Sequence, residues 1–470
     1  MAMPYAGAGN NKRDKLMKAT MAPLQKKRPI WAVVHLSCLL VACAVFIVSA
    51  RNAVRFPGID LRAKVVGARL LLAHQNPYPS PEHPDPNEFF RMFNYDTYTP
   101  FLLSLYAPLS HLSYTFQRLV YFFIDWICIA FLFFRTRLWL PPAHRKWHGV
   151  LFTLLVIIDF GVLIHMERGQ YYLAIAAAIA WAIGAWKDGR TDGWSGAIAL
   201  GMLILVRPTF AIVLPVLWLL KCRTPMWRTA VVFFVLLALT VTIFGPRPWQ
   251  TYVRSVYTQQ SAALNQIFTR NNSADTAPKE SRTKIAEGID FSSSLDTNYT
   301  ISRVFLGNLG QNRIKTYAAR IFRTPQLLSL VNRTLLILAA LYCLLLAHRL
   351  SDAPHMVKLG FAFLAPIVVE TFGPQRNAYC DIYLVPVLFA MLGFLFEKGR
   401  LSGWMRWGAA GGVSICILAA AGAWILSPSG IAIEAVSLAR WYVLLVLVNL
   451  YVVGLALHPK ISSETPLPHL

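Results

Sequence analysis

The sequence predicts an all-α polytopic membrane protein, a bundle of about twelve transmembrane helices. Of its 470 residues, 56% are hydrophobic and only 14% are charged, which is far more apolar than a typical soluble domain. The apolar residues gather in runs long enough to cross hydrocarbon. Lys and Arg gather in short loops that all fall on one side of the predicted membrane. These observations exclude a soluble globular protein.

The order of the apolar runs predicts the domain organisation. Residues 1–30 form a basic cytoplasmic leader, 31–457 one membrane domain, and 458–470 a cytoplasmic tail. The length of the leader favours a retained first helix over a cleaved signal peptide. Spans are predicted at 31–50, 114–134, 148–166, 170–186, 194–207, 209–220, 229–245, 326–347, 355–371, 379–396, 405–426 and 434–457.

The charged loops predict the orientation of these spans. The basic loops 135–147, 221–228 and 397–406 all lie inside if both termini are cytoplasmic. Two long segments, 51–113 and 246–325, then lie outside. Within the first, the apolar stretch 100–113 is interrupted by Pro108 and predicts a re-entrant or interfacial element rather than a further span.

A helix is predicted in the first outer loop, just after the first span. Its apolar positions recur at helical spacing: Leu61, Val65, Ala68 and Leu72. Its other faces carry Arg62, Lys64 and Arg69. This amphipathic pattern predicts a helix that lies flat on the outer membrane surface.

Asp60, in the first turn of that helix, is the candidate catalytic residue. Three interpretations remain open from the local sequence: a helix cap, a salt-bridge partner, or a general base for an acceptor hydroxyl. Nearby cations lower the pKa of a carboxyl group and would keep this acid ionised.

Three arginines are candidates for binding a phosphate. Arg168, Arg207 and Arg376 each lie in a predicted outer turn, and the guanidinium fork matches phosphate oxygens. The alternatives are snorkelling to lipid headgroups or pairing with Glu167, Glu370 or Asp60.

Aromatic and acidic residues near the re-entrant element are further candidates. Tyr78, Tyr95, Tyr98 and Asp96 could line a sugar site, or the tyrosines could belong to the interfacial belt. Asp125 and Asp159 lie inside predicted spans, where an acid is a functional candidate unless the bundle satisfies it by hydrogen bonds.

Several classes of site are not predicted. The seven cysteines lie in or beside apolar runs without metal-ligand spacing, so neither a metal site nor a disulfide framework is expected. The chain carries no nucleotide-binding fingerprint, and no cofactor is expected. The net charge of +23 comes with no nucleic-acid motif, so membrane lipids are its expected partners.

An Asp after the first span, followed by "NPY" and "YTPFLLSLYAPLSHL", resembles the GT-C superfamily of membrane glycosyltransferases. More narrowly, the chain resembles glycosyltransferase family 87, the polyprenol-phosphate-mannose-dependent mannosyltransferases. The stretch 168–210 is similar to that family's Gly-Gln turn and Lys-Pro turn. The resemblance covers about 30–400 and is strongest in 55–115 and 165–220.

The resemblance implies a GT-C-like bundle that transfers a hexose, with mannose expected, from a polyprenyl-phosphate sugar to a lipid or glycan hydroxyl. The transfer would invert the anomeric centre, on the outer face of the cell (inner) membrane. Asp60 would be the base, and Gln170 would lie in the Gly-Gln turn. Arg207 stands where the family has lysine. Tyr379 stands in the later outer turn, which here lacks the family's histidine and has Arg376 nearby as a substitute.

Two alternative functions remain open. The protein could transport or flip a lipid-linked sugar, in which case Asp125 and Asp159 would matter more than Asp60. It could also be a glycan polymerase or ligase that uses a polyprenyl-diphosphate donor.

Overall fold

The computed structural model describes residues 28–55, 58–78, 98–187, 193–254, 325–371 and 382–398, which form helices and no strand. The α-helices in chain order are α1 Arg28–Arg55, α2 Ile59–Leu72, α3 Pro100–Tyr106, α4 Tyr114–Trp139, α5 Arg145–Phe152, α6 Phe160–Arg168, α7 Tyr172–Trp186, α8 Trp194–Val206, α9 Val213–Leu219, α10 Arg223–Phe244, α11 Pro325–Arg349, α12 His355–Thr371 and α13 Leu384–Lys398. Short 3₁₀ turns cover Ala107–Leu109, Pro142–His144 and Pro208–Ile212, and a π-helix covers Thr153–Ile157.

Three of the described helices are long and apolar enough to cross a membrane. They are Ile30–Val54, Tyr114–Trp139 and Arg223–Phe244, and the bent pair Pro142–Ile157 and Gly161–Arg168 is a fourth if it is one span. Several shorter apolar helices accompany them. The chain is therefore a helical membrane protein, whereas a total of twelve spans stays a prediction.

The predicted positions of the helices agree with the structure over most of the chain. Each predicted span from 31–50 to 379–396 contains helix, and the last two, at 405–426 and 434–457, lie outside the described residues. The stretch 100–113 holds only the seven-residue α3 and a 3₁₀ turn around Pro108. It is too short to cross a bilayer as a helix.

The core is formed by α7, α8, α12 and α13. The α7 sequence YLAIAAAIAWAIGAW is rich in small residues, which lets neighbouring helices approach closely. It packs against α4, α8 and α13, and Trp186 at its end is fully buried. The turn that precedes α7 therefore starts from this closely packed centre.

The prediction that α2 lies flat on the membrane surface is wrong. Three of its four predicted apolar positions, Leu61, Val65 and Ala68, are buried, but Arg62 and Lys64 are also 0% exposed. The helix packs against α3, the following 3₁₀ turn and α6, and Arg69 donates from Nε to the Ser110 carbonyl at 2.8 Å. Protein therefore surrounds α2 on most sides, and Leu72 is left half exposed.

A π-helix at Thr153–Ile157 interrupts the segment between α5 and α6. The two helical parts are bent by 58° at this break, and π-turns are a common cause of such kinks. Asp159 caps α6 through its backbone carbonyl, which accepts from the Val162 and Leu163 amides. The bend directs the end of α6, and with it Arg168, toward the start of α2.

Candidate functional site

Asp60 forms a two-point ion pair with Arg168. The Arg168 Nη2 donates to Asp60 Oδ1 at 3.0 Å, and Nε donates to Oδ2. Both side chains are about 15% exposed, so the pair lies at the edge of the protein interior and remains accessible. Of the three interpretations of Asp60, the structure confirms the salt bridge and excludes the cap, because Gly58 occupies the N-cap position.

Two left-handed glycines set the position of this pair. Gly58 has φ 66° and precedes α2, while Gly169 has φ 67° and follows α6. Gly169 closes a Schellman turn, in which its amide donates to the Met166 carbonyl and the Gln170 amide to the His165 carbonyl. A side chain at either glycine would be strained, because L-residues other than Asn and Asp rarely adopt this conformation.

Arg118 of α4 lies between the two glycine turns. A Cβ at Gly58 or at Gly169 would approach the Arg118 guanidinium to 2.8 Å. Its Nη2 donates to the Glu167 carbonyl, and Tyr114 on the same helix donates its hydroxyl to the Gly58 carbonyl at 3.1 Å. The first turns of α4 therefore hold the backbone on both sides of the Asp60–Arg168 pair.

Lys64, one turn beyond Asp60, is fully buried beside the pair. Its Nζ donates to the Gly169 carbonyl at 2.8 Å, to the Asp60 carbonyl at 3.1 Å and to Gln170 Oε1 at 3.4 Å. The ammonium group also lies 4.8 to 5.8 Å from the ring centroids of Tyr98, Tyr106 and Tyr171, at cation–π distance. This side chain joins the start of α2 to the turn that carries Arg168.

Burial and neighbouring charges together lower the pKa of both Asp60 and Lys64, but for different reasons. Burial alone would raise the pKa of the Asp60 carboxyl, but the charge and hydrogen bonds of Arg168 outweigh it and hold the pKa below its ordinary value. Burial lowers the pKa of the Lys64 ammonium to about 7, although the charge of Asp60 opposes this shift. Asp60 is therefore ionised at neutral pH, and Lys64 titrates there.

A second cluster surrounds Arg207 at the end of α8. Its Nε donates to Glu370 Oε1 at 2.5 Å and its Nη1 to the Tyr172 hydroxyl at 3.0 Å. Thr209 and Tyr383 donate their hydroxyls to the two oxygens of Glu370. Glu370 is thus enclosed by three donor side chains and is only 4% exposed.

The adjacent residues Tyr171 and Tyr172 connect the two clusters. Their rings stack with centroids 4.7 Å apart. Tyr171 faces Lys64, and the Tyr172 ring lies 5.3 Å from the Arg207 guanidinium carbon. The segment Arg168–Tyr172 therefore contributes a side chain to both clusters, and Gln170, predicted from sequence, also belongs to it.

The remaining predicted residues have different outcomes. Tyr78 is buried and donates its hydroxyl to the Tyr98 carbonyl at 2.7 Å, and its ring contacts Tyr252, so it supports the loop rather than the ion pair. Asp125 pairs with His165 at 3.3 Å inside the bundle, which confirms the interpretation that hydrogen bonding within the bundle satisfies this acid.

Four of the predicted residues lie outside the described part of the chain: Arg376, Tyr379, Tyr95 and Asp96. No group of three His, Cys, Asp or Glu side chains that could hold a metal ion occurs in the described part of the chain.

Four residues of the clusters were not predicted: Lys64, Arg118, Tyr172 and Tyr383. Glu370 was predicted only as a possible partner of an outer arginine, and the structure confirms the pairing of Arg168 with Asp60 and of Arg207 with Glu370. Arg118 and Glu370 are charged residues at the ends of apolar segments, which is a signal for a buried partner. The hydroxyls of Tyr172 and Tyr383 had no such signal, because a tyrosine near a membrane interface is ordinary.

A family of known proteins matches part of the chain. The model for glycosyltransferase family 87 matches residues 97–279. The matched segment holds Arg118, the whole Arg168–Tyr172 segment and Arg207, whereas Asp60, Lys64 and Glu370 lie outside it. No curated protein matches the chain, and no solved structure does. The family match supports a glycosyltransferase enzyme, over a shorter stretch than the resemblance in 30–400 had indicated.

Proposed function

We propose that this protein transfers a hexose, with mannose the expected one, from a polyprenyl-phosphate sugar to a hydroxyl of a lipid or glycan. The reaction takes place on the extracytoplasmic face of a multi-pass cell-membrane protein, and it inverts the anomeric centre. The observation that supports this proposal most directly is the accessible Asp60–Arg168 pair. In this pair the carboxylate that we assign as the base contacts the guanidinium that we assign to the phosphate, and Arg168 lies within the segment matched by the glycosyltransferase family.

Arg168 has two successive partners in the proposed reaction. Before the donor binds, it neutralises Asp60 and keeps the pKa of that carboxyl low, which makes Asp60 a weak base. When the donor phosphate binds, the guanidinium turns toward the phosphate, whose oxygens it also matches in a two-point geometry. The pKa of Asp60 then rises, so the base becomes effective only when the donor is in place.

The transfer itself is an in-line displacement. The acceptor oxygen forms a bond to the anomeric carbon on the face opposite the phosphate, and its proton passes to Asp60. The bond between the anomeric carbon and the phosphate oxygen breaks, and its electron pair leaves with the polyprenyl phosphate. Arginine side chains stabilise the charge that develops on this leaving group.

Replacing Asp60 tests the proposed base. Purified protein in liposomes would receive a radiolabelled polyprenyl-phosphate mannose and membrane lipid acceptors, and the product would be identified. Asp60→Asn should lower the transfer rate by about 10²–10⁴-fold, the usual contribution of a positioned general base. Asp352→Asn is the matched control, because Asp352 pairs with Lys221 on the exposed surface and its replacement should leave the rate unchanged. Normal turnover by Asp60→Asn would exclude the base role.

The same assay tests the donor. A polyprenyl-diphosphate sugar with the same sugar and polyprenyl chain should give no product. Transfer from the diphosphate donor alone would instead indicate a polymerase or ligase. Movement of the labelled lipid across the membrane without a covalent product would indicate a flippase.

A further inference from the structure

An apolar groove lies between α1, α4 and the α5–π segment, away from the Asp60 cluster. It has a volume of about 490 Å³, within the range of roughly 300–1,000 Å³ that is usual for ligand pockets. Its walls are mainly aliphatic and aromatic, with Leu39 and Ala42 on α1, Trp126 and Phe133 on α4, and Ile157 at the end of the π-helix. Such walls suit a hydrocarbon chain.

Two arginines line one end of the groove. Arg137 and Arg145 both border it, and both also border a second, adjoining cavity of about 320 Å³ together with Phe134 and Leu138. No acidic side chain is among the described residues that line either cavity. This end of the groove is therefore positively charged, and a ligand that matches it has an anionic group attached to an apolar body.

The length of the groove corresponds to one leaflet of a bilayer. Along α4 it extends from Trp126 to Arg137, which is about 16 Å at the rise of an α-helix and about half of a hydrocarbon core. At the end of the groove farther from the arginines, the centroid of the Phe46 ring lies 5.1 Å from that of the Trp126 ring. At the arginine end, His35 bonds to the Lys146 carbonyl at 3.0 Å and joins α1 to α5. Contacts of α1 with its neighbours therefore lie near both ends of the groove.

The groove and the Asp60 cluster lie at opposite ends of α4. Tyr114 and Arg118 in the first turns of α4 hold the Gly58 and Gly169 turns, whereas Arg137 is two residues from its C-terminal residue. A ligand with its anionic group at Arg137 would therefore face the leaflet opposite the proposed reaction. It is distinct from a donor whose phosphate binds Arg168.

We propose that this groove binds one anionic glycerophospholipid. Arg137 and Arg145 hold its headgroup phosphate, and one acyl chain lies against Leu39, Trp126 and Phe133. Charge complementarity selects the anionic lipid, and the one-leaflet length selects a diacyl lipid over a long polyprenyl chain. The bound lipid fixes α1 against α4 at the arginine end.

Native mass spectrometry of the full-length protein tests this proposal. The protein would be exchanged into detergent with dioleoyl phosphatidylglycerol or dioleoyl phosphatidylcholine, which share their acyl chains. We expect one retained phosphatidylglycerol, bound at least tenfold more tightly than phosphatidylcholine. Binding that rises without saturation, or equal binding of both lipids, would overturn the proposal and indicate ordinary contacts between surface arginines and headgroups.

Two kinds of variant locate the lipid in the groove. The double variant Arg137→Gln/Arg145→Gln should lose the preference for phosphatidylglycerol. The control double variant, Arg223→Gln/Arg228→Gln, removes two charges of α10 outside the groove and should retain that preference. Since Arg145 also donates to the Leu140 carbonyl, Arg137→Gln alone serves as a second variant that leaves that bond in place. Ala130→Trp fills the groove without changing a charge and should lower the affinity for both lipids at least tenfold. Unchanged binding in the Ala130→Trp protein, as expected if the chain itself fills the groove, would also overturn the proposal.

Discussion

Tyr171 and Tyr172, adjacent in the chain, stack on each other and face two different cations, Lys64 and Arg207. Each ring thus belongs to a different charged cluster: Tyr171 to that of Asp60 and Arg168, Tyr172 to that of Glu370. The stacked rings therefore join the two clusters through packed side chains. The two clusters form one unit around a single turn of the chain.

Replacing Arg168 by lysine should lower transfer strongly although the charge is kept. Lysine is a point charge and cannot make the two parallel hydrogen bonds that a guanidinium makes to a carboxylate or phosphate. We expect the rate to fall by about 10²-fold, as is typical when reacting groups are displaced by about 1 Å. The liposome assay measures this, with Arg223→Lys on α10 as the control. An unchanged rate would mean that only the charge of Arg168 matters.

Replacing Gly169 by alanine should destabilise the protein. The position has φ 67°, and a Cβ there would approach the Leu61 Cβ to 2.7 Å and the Arg118 guanidinium to 2.8 Å. The backbone strain alone costs about 1–2 kcal/mol, and the displaced neighbours add to it. Thermal unfolding in detergent measures the change.

Gly193→Ala is the matched control for this glycine. Gly193 has φ −78°, and the nearest atom to an added Cβ is 3.7 Å away. This variant should be destabilised much less, by about 1 kcal/mol or below, because it meets no steric clash and only makes Gly193 a poorer N-cap of α8. Equal destabilisation by both variants would contradict the role assigned to the Gly169 turn.

Lys64 should make the free energy of unfolding depend on pH between about 7 and 10.5. Burial lowers the pKa of the Lys64 ammonium to about 7 in the folded protein from its ordinary value of 10.5. In this window the unfolded chain binds more protons at Lys64 than the folded protein does, so stability rises with pH. The rise is on the order of a few kcal/mol, since one pKa unit corresponds to about 1.4 kcal/mol.

The Lys64→Met protein isolates this contribution. Methionine keeps most of the apolar side chain and does not titrate, so the difference in unfolding free energy between wild type and variant should grow with pH across the window. Unfolding in mixed micelles at a series of pH values measures it. Parallel curves for the two proteins would show that the Lys64 ammonium is not titrating there.

Replacing Glu370 by glutamine should strongly destabilise the second cluster. Arg207 would then be left in the protein interior beside a neutral side chain, and breaking a buried ion pair costs about 3–5 kcal/mol. Asp352→Asn breaks the exposed pair with Lys221 and should leave the unfolding free energy unchanged. Similar effects of the two substitutions would show that Glu370 is well solvated.

The sequence predicted the helices and located Asp60, Arg168, Gln170 and Arg207, because apolar periodicity and charged turns are local signals. It did not predict the burial of Lys64, because the pattern of α2 describes one face and says nothing of which protein segments cover the others. The contact of Arg207 with Glu370 joins residues 163 positions apart. The sequence offered Glu370 only as one of three possible partners for the arginines. The choice among them depends on how α8 and α12 pack, and no local spacing encodes that.

The compactness of the Arg168–Tyr172 segment limits how this protein can vary in length. Five consecutive residues include partners for Asp60 and Lys64 on α2 and for Arg207 after α8, two separate parts of the chain. A one-residue insertion or deletion here would shift all residues on one side of the change relative to their partners. The contacts on that side would then be lost together. Length changes should therefore be tolerated in the long polar segments and rejected in this pentapeptide, even where an amino-acid replacement is accepted.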